Sequence, residues 1–179
     1  MKTLTLLRHA KSGWDDTVAR DLDRPLNEKG KRAAHAVGRH WRALGLVFDH
    51  AVASPAVRVM ETIAAVEGGY GRRLAPEWDR RLYLAAPDTL LELIQDFPHD
   101  ADTALLVGHN PGLEELVLSL VRDADQPLRE AVRTKFPTAS TAQLVFDVTG
   151  WADVATDGAT LALFVRPRDL DPAFGPDAD

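Results

Sequence analysis

Apolar residues fall in two rhythms along this chain. Apolar-rich runs at 3–7 (TLTLL, interrupted at Thr5) and 103–107 (TALLV), with the shorter HAVA at 50–53, predict strands buried on both faces. Between them the apolar positions recur at the helical period. Ala33, Val37, Trp41 and Leu44 share one face of a helix that Asn27 can cap and Gly45 can stop. Ser54-Pro55 reads as a cap followed by proline at the first helical position, with Val59, Ile63 and Val66 behind it and a stop at Gly68-Gly69. Pro87 opens a third helix with Leu90, Leu91, Ile94 and Phe97 apolar, closed by Pro98. Asn110-Pro111 repeats the cap-then-proline start ahead of Leu113, Leu116, Val117 and Leu120. Two late strands are expected at 141–148 and 159–165, whereas 70–86 and 122–140 carry no decisive pattern.

Strands that alternate with helices predict an α/β fold: a three-layer α/β/α sandwich around a mainly parallel central sheet. No internal repeat or interdomain linker is visible. Residues 1–166 read as one domain, and 167–179 as an acidic, proline-rich C-terminal tail expected to be poorly packed.

Composition narrows the function classes. The 179 residues are 45% apolar and 27% charged, ordinary for a soluble globular domain. A net charge of −6 disfavours nucleic-acid binding, which needs clustered cations, but leaves room for a small positive pocket. The chain has no cysteine, so disulfides, thiol nucleophiles and cysteine-ligated zinc are excluded. The apolar run before Arg8 is too short for a signal peptide, and no stretch approaches the ~18 apolar residues of a membrane span. The expectation is a cytoplasmic monomer with no membrane or nucleic-acid partner.

The chemistry sits where the strands end. The first strand delivers Arg8 and His9, the second delivers Ser54 and, one helical turn on, Arg58, and the third delivers His109. In a parallel sheet these ends share one edge, the edge at which α/β folds bind ligands. The helix starts after Ser54 and Asn110 would add free N–H groups beside it, which favours an anion.

These residues belong to four motifs in order. LLRHAKSGWDD, DRPLNEKGKRAA, SPAVRVMETI and VGHNPGL together resemble the histidine phosphatase, or phosphoglycerate mutase-like, superfamily, and within it the small SixA-like phosphohistidine phosphatases. The resemblance covers residues 3–120, with a looser match to Pro167. It implies that His9 is a nucleophile that accepts the phosphoryl group, while Arg8, Arg58 and His109 hold its oxygens. Ser12 is a further candidate phosphate contact. The chemistry suits the residues, because phosphoryl transfer asks for an in-line nucleophile and fixed positive charge around the equatorial oxygens. No cofactor and no metal are implied, and ligand spacing suggests none.

The chain departs from the family in several places. Ala10 stands where glycine is more usual, and Asp15 where mutase-like relatives carry asparagine. The carboxylate acid of larger members has no convincing counterpart; Glu77 and Asp79 are the candidates. The lack of a convincing acid favours a phosphohistidine substrate, whose imidazole leaves carrying its own proton, or a reactive ester, over an alkyl ester. His35, His40, His50 and His99 read as ordinary surface or packing residues. Trp14 and Trp78 are candidates for the cleft, and Arg133 and Lys135 are solvated cations that could meet an acidic substrate. The expected site is open and shallow. The expected activity is a metal-independent phosphatase, a phosphoric monoester hydrolase acting on protein phosphohistidine. The alternatives are a phosphatase for small phosphate esters and a non-catalytic phosphate-recognition module.

Overall fold

A computed structural model describes residues 1–13, 18–123 and 126–176. The first apolar run forms β1 (Lys2–Arg8), and the later ones form β2 (His50–Ala53) and β4 (Thr103–Gly108). A short edge strand, β3 (Glu77–Trp78), comes from the stretch that carried no clear pattern. With β5 (Thr141–Phe146) and β6 (Ala159–Val165) they make one six-stranded sheet in the order β3-β2-β4-β1-β5-β6. The first four strands of that order run parallel, and β5 and β6 are antiparallel additions at the other edge.

The alternation of side chains divides the central strands between two cores. Leu4 and Leu6 of β1 and Ala104 and Leu106 of β4 face one core, which α3 (Pro87–Gln95), α4 (Gly112–Leu120) and α5 (Pro127–Thr134) cover. Leu7, Leu105 and Val107 face the other, under α1 (Glu28–Leu44) and α2 (Val57–Tyr70). Burial on both faces is why these strands read as apolar-rich runs. On the second face the two helices touch backbone to backbone. A Cβ on Gly38 would lie 2.0 Å from the Val66 carbonyl oxygen, and one on Gly69 would lie 2.1 Å from that of His35.

The helix starts differ from expectation. α1 keeps its Asn27 cap, whose side chain accepts from the Gly30 N–H. α2, however, begins at Val57 rather than at Pro55, and it runs through Gly68-Gly69 to a left-handed Gly71. α4 begins at Gly112, after a cis Asn110-Pro111 bond. The Ser54 hydroxyl accepts from the Ala56 N–H at 3.4 Å, one residue ahead of the helix, and also meets a histidine of the site.

The segment from Pro167 is packed rather than loose as far as it is described. It forms α6 (Pro167–Leu170), and Leu170 and Phe174 lie against the core under α1. The Lys29 Nζ donates to the Gly175 carbonyl at 2.9 Å. Among the described residues, no helix is long and apolar enough to cross a membrane.

Candidate active site

The parallel register places the ends of β1 and β4 side by side, with Arg8 opposite Gly108. His9 and His109 therefore leave the sheet together, and their ring centroids are 5.4 Å apart. The His9 backbone N–H donates to the Gly108 carbonyl at 3.1 Å, so the backbone ladder continues into His9. Arg58 arrives from the first turn of α2. All three are nearly covered: His9 is 7% exposed, His109 4% and Arg58 2%. They lie in a cavity of about 360 Å³ whose lining also includes Arg8, Ser12, Asp21 and Arg24. Its lining also includes the exposed Leu84, while His9, Arg58 and His109 are buried.

The hydrogen bonds assign the tautomers. The His9 Nδ1 lies 2.7 Å from the Ala10 carbonyl oxygen, which can only accept. Nδ1 therefore carries the proton and Nε2 keeps its lone pair. Burial, reinforced by Arg8, His109 and Arg58, pushes the His9 pKa down to about 3, against the opposing pull of that carbonyl. At neutral pH the ring is uncharged. The His109 Nδ1 faces the Arg58 Nη2 at 3.3 Å, and a guanidinium can only donate, so this nitrogen accepts. The His109 Nε2–H then donates to the Ser54 Oγ at 2.7 Å. Burial and the Arg58 charge push His109 down to about 4.

Backbone and side-chain bonds hold the frame. The Ala10 N–H donates to the Thr62 Oγ1 at 2.9 Å, and that hydroxyl donates to the Arg58 carbonyl at 2.6 Å. The loop after His9 is thus fastened to the turn that carries Arg58. The Phe136 carbonyl accepts from the Arg8 Nη1 at 2.9 Å and from the Asn110 Nδ2 at 3.0 Å, tying the two strand ends to the loop before β5. The Nε atoms of Arg8 and Arg58 are buried with no acceptor among the described residues. A buried donor left in that state is costly unless a ligand oxygen meets it. By contrast, α4 offers less than expected. Its Leu113 N–H is bonded to the His109 carbonyl, and its Glu114 N–H to the Asn110 Oδ1.

Two residues enter the site without having been singled out. Asp21 accepts from the Tyr83 hydroxyl at 2.5 Å, from the Arg24 Nε at 2.9 Å and from the Arg58 Nη2 at 3.0 Å. The Tyr83 hydroxyl, then Arg58 and Arg24, hold the Asp21 pKa down at about 2. Tyr83 also meets the His109 ring edge-on at 5.4 Å. A carboxylate beside a phosphate pocket looks repulsive in sequence, and Tyr83 lies in a patternless stretch. The acidic pair of RDLDR, at 20–24, bracketed by arginines, was the signal available.

Residues 4–83 match the model of the histidine phosphatase superfamily, branch 1. A solved structure assigned as the phosphohistidine phosphatase SixA from Nakamurella multipartitia is 34% identical, with 93% of this chain and 96% of that chain covered and a TM-score of 0.77. The chain is a member of the histidine phosphatase superfamily. A second SixA assignment, from Agrobacterium tumefaciens, is 27% identical at a TM-score of 0.76, with 93% and 98% covered. An uncharacterized protein of Mycobacterium tuberculosis is 38% identical over 165 residues, 90% of this chain and all of the relative.

Of the residues singled out in the sequence, this histidine phosphatase brings Arg8, His9, Ser12, Arg58 and His109 to one cavity. It does not bring Glu77 or Asp79 into the cavity. Glu77 is exposed on the edge strand. Asp79 caps the turn at 80–82 and is chelated by Arg81, whose Nη2 lies 2.7 Å away, which lowers the Asp79 pKa. An edge strand and a salt-bridged cap leave both acids on the wrong side of β2. Ser12 accepts from the Arg24 Nη1 at 3.1 Å. Trp78 stands on the outer edge, 48% exposed, and Trp14 and Asp15 lie outside the described residues. Among the described residues, no group of three or more His, Asp or Glu side chains could hold a metal ion.

Proposed function

We propose that this histidine phosphatase removes phosphate from protein phosphohistidine, through a covalent phosphoryl intermediate on His9. The neutral Nε2 attacks phosphorus in line, the N–P bond forms, and the bond to the leaving nitrogen breaks. The ring then becomes a cation whose Nδ1–H still donates to the Ala10 carbonyl. Arg8 and Arg58, both permanently charged, offset the phosphoryl oxygens. His109, which lines the same cavity, can donate to an oxygen by releasing Ser54. Water attacks phosphorus in the second step and restores neutral His9.

The observation that carries the substrate class is the state of Asp21. It is the carboxylate among the described lining residues, and it is held ionised at about 2. An acid that weak a proton holder gives little help to an alkoxide. An imidazole leaving group can depart already protonated, so it needs none. The test is phosphate release from a phosphohistidine protein and from an alkyl phosphate, in wild type and His9→Ala. Release from the first at a rate at least ~100-fold above the second, abolished in His9→Ala, is the expected result. Comparable rates on both substrates would refute the phosphohistidine preference.

A further inference from the structure

Thr62 lies four residues after Arg58 on α2 and is fully buried. Its hydroxyl donates to the Arg58 carbonyl at 2.6 Å, a bond that threonines inside helices commonly make with the preceding turn. The oxygen still has lone pairs to offer, and one of them accepts the Ala10 N–H at 2.9 Å, from 52 positions away in the chain. Ala10 is itself fully buried, in the core under α1 and α2. An N–H in such a place depends on its protein partner.

The consequence falls on the ring of His9. The sheet holds the His9 backbone at both ends: its N–H donates to the Gly108 carbonyl, and its carbonyl accepts from the Ala139 N–H at 3.0 Å. That ladder does not fix the ring, which still turns about its side-chain bonds. The ring is aimed by the bond from Nδ1–H to the Ala10 carbonyl at 2.7 Å. Where that carbonyl points depends on the Ala10 backbone, and Thr62 grips the same residue by its N–H. One hydroxyl thus ties both the turn that carries Arg58 and the residue that selects the His9 tautomer. We propose that Thr62 is a positioning residue for the nucleophile: by holding Ala10 it keeps His9 in the Nδ1–H tautomer, with Nε2 presented to phosphorus at a set place relative to Arg58. Such placement governs a transfer rate because small displacements of the reacting groups carry large penalties. The role rests on the phosphatase reading of the site.

The test compares wild type with Thr62→Val, which keeps the shape and loses the hydroxyl, and with Thr62→Ser, which keeps the hydroxyl. Three quantities are read: the single-turnover rate of phosphoryl transfer from a phosphohistidine protein to His9, the affinity for inorganic phosphate by calorimetry, and the nitrogen-15 shifts of the His9 ring, which distinguish a protonated nitrogen from a bare one. Thr62→Val should lower the transfer rate by about 10- to 100-fold while phosphate affinity stays within about twofold of wild type. Its ring should show both tautomers in exchange, where wild type shows Nδ1 protonated and Nε2 bare. Thr62→Ser should return the wild-type shifts and bring the rate to within about threefold of wild type. Thr62→Ala, which adds no bulk, carries the same expectations as the valine variant and replaces it if that variant does not fold. An unchanged rate or unchanged ring shifts without the hydroxyl would overturn the role, as would a serine variant no faster than valine. A loss of phosphate affinity as large as the loss of rate would also overturn it, since the effect would then lie on the bound anion rather than on the ring. If wild type itself takes up no phosphate on His9, the phosphatase reading falls and the role falls with it.

Discussion

Two histidines kept neutral by burial make the fold sensitive to mild acid in a way that can be worked out. Unfolded, each ring titrates at its ordinary value of 6.5; folded, His9 is held at about 3 and His109 at about 4. Below pH 6.5 the unfolded chain therefore binds protons that the native site refuses, so stability falls as pH falls. The loss runs from pH 6.5 down to the folded values, and Asp21, held near 2, adds a further loss only below its ordinary 3.8. Between pH 7 and 5 each ring costs about 2 kcal/mol, and the pair about 4 kcal/mol. With a urea dependence of ~2 kcal/mol per molar, the unfolding midpoint should drop by roughly 2 M over that interval. The control is His9→Gln/His109→Gln, which keeps polar side chains but removes the titrating rings. Its midpoint should move by less than ~0.5 M between the same pH values. An equal drop in the double variant would show that other groups carry the acid response, and a wild-type midpoint indifferent to pH would refute the neutral-ring assignment.

Other outcomes follow from the same contacts. Wild type quenched during turnover should carry phosphate that is lost in acid and retained in alkali, and His9→Ala should carry none; mass spectrometry of the quenched protein reads this directly. Asp21→Asn removes the charge that orients Arg58, and since Asp21 is 37% exposed the discounted loss is about 1 kcal/mol, a fall of about fivefold in kcat/KM. Steady-state kinetics should show that fall with the urea midpoint little changed. Arg58→Lys keeps the charge but cannot span Asp21 and His109 together, so kcat/KM should fall by more than ~100-fold. Gly30→Ala would place a Cβ 2.1 Å from the Lys11 carbonyl oxygen, and the resulting backbone shift should cost about 2 kcal/mol in urea unfolding and lower kcat as well.

Much of this was legible from the chain. The apolar-rich runs TLTLL and TALLV announced strands covered on both faces, and the residues that follow them, Arg8-His9 and His109, came to one edge as parallel pairing requires. What pattern could not supply was any contact made across long sequence separations. Ser54 and Asn110 looked like helix caps because their local chemistry is that of caps. Tertiary partners, His109 for one and the Phe136 carbonyl for the other, compete for those side chains. Asp21 and Tyr83 are 62 positions apart, and neither carries a period or a turn signature. The packing of Phe174 was hidden for a similar reason, since a proline-rich stretch shows no rhythm even when its one aromatic ring has a core to join.

The backbone bond from the His9 N–H to the Gly108 carbonyl has a consequence for how the molecule opens. The ends of β1 and β4 lie in the middle of the sheet, where amide hydrogens exchange only when most of the structure comes apart. Arg58 and Asp21, which hold the anion side of the cleft, hang instead on a helix start and a short turn. Deuterium labelling should therefore separate the site into two halves: a slow one that carries His9 and a fast one around the turn at 21–23. Fluctuations of the fast half can open and close the cleft while His9 stays where the sheet put it. Selectivity could then drift through changes in the outer segments without loss of the chemical step.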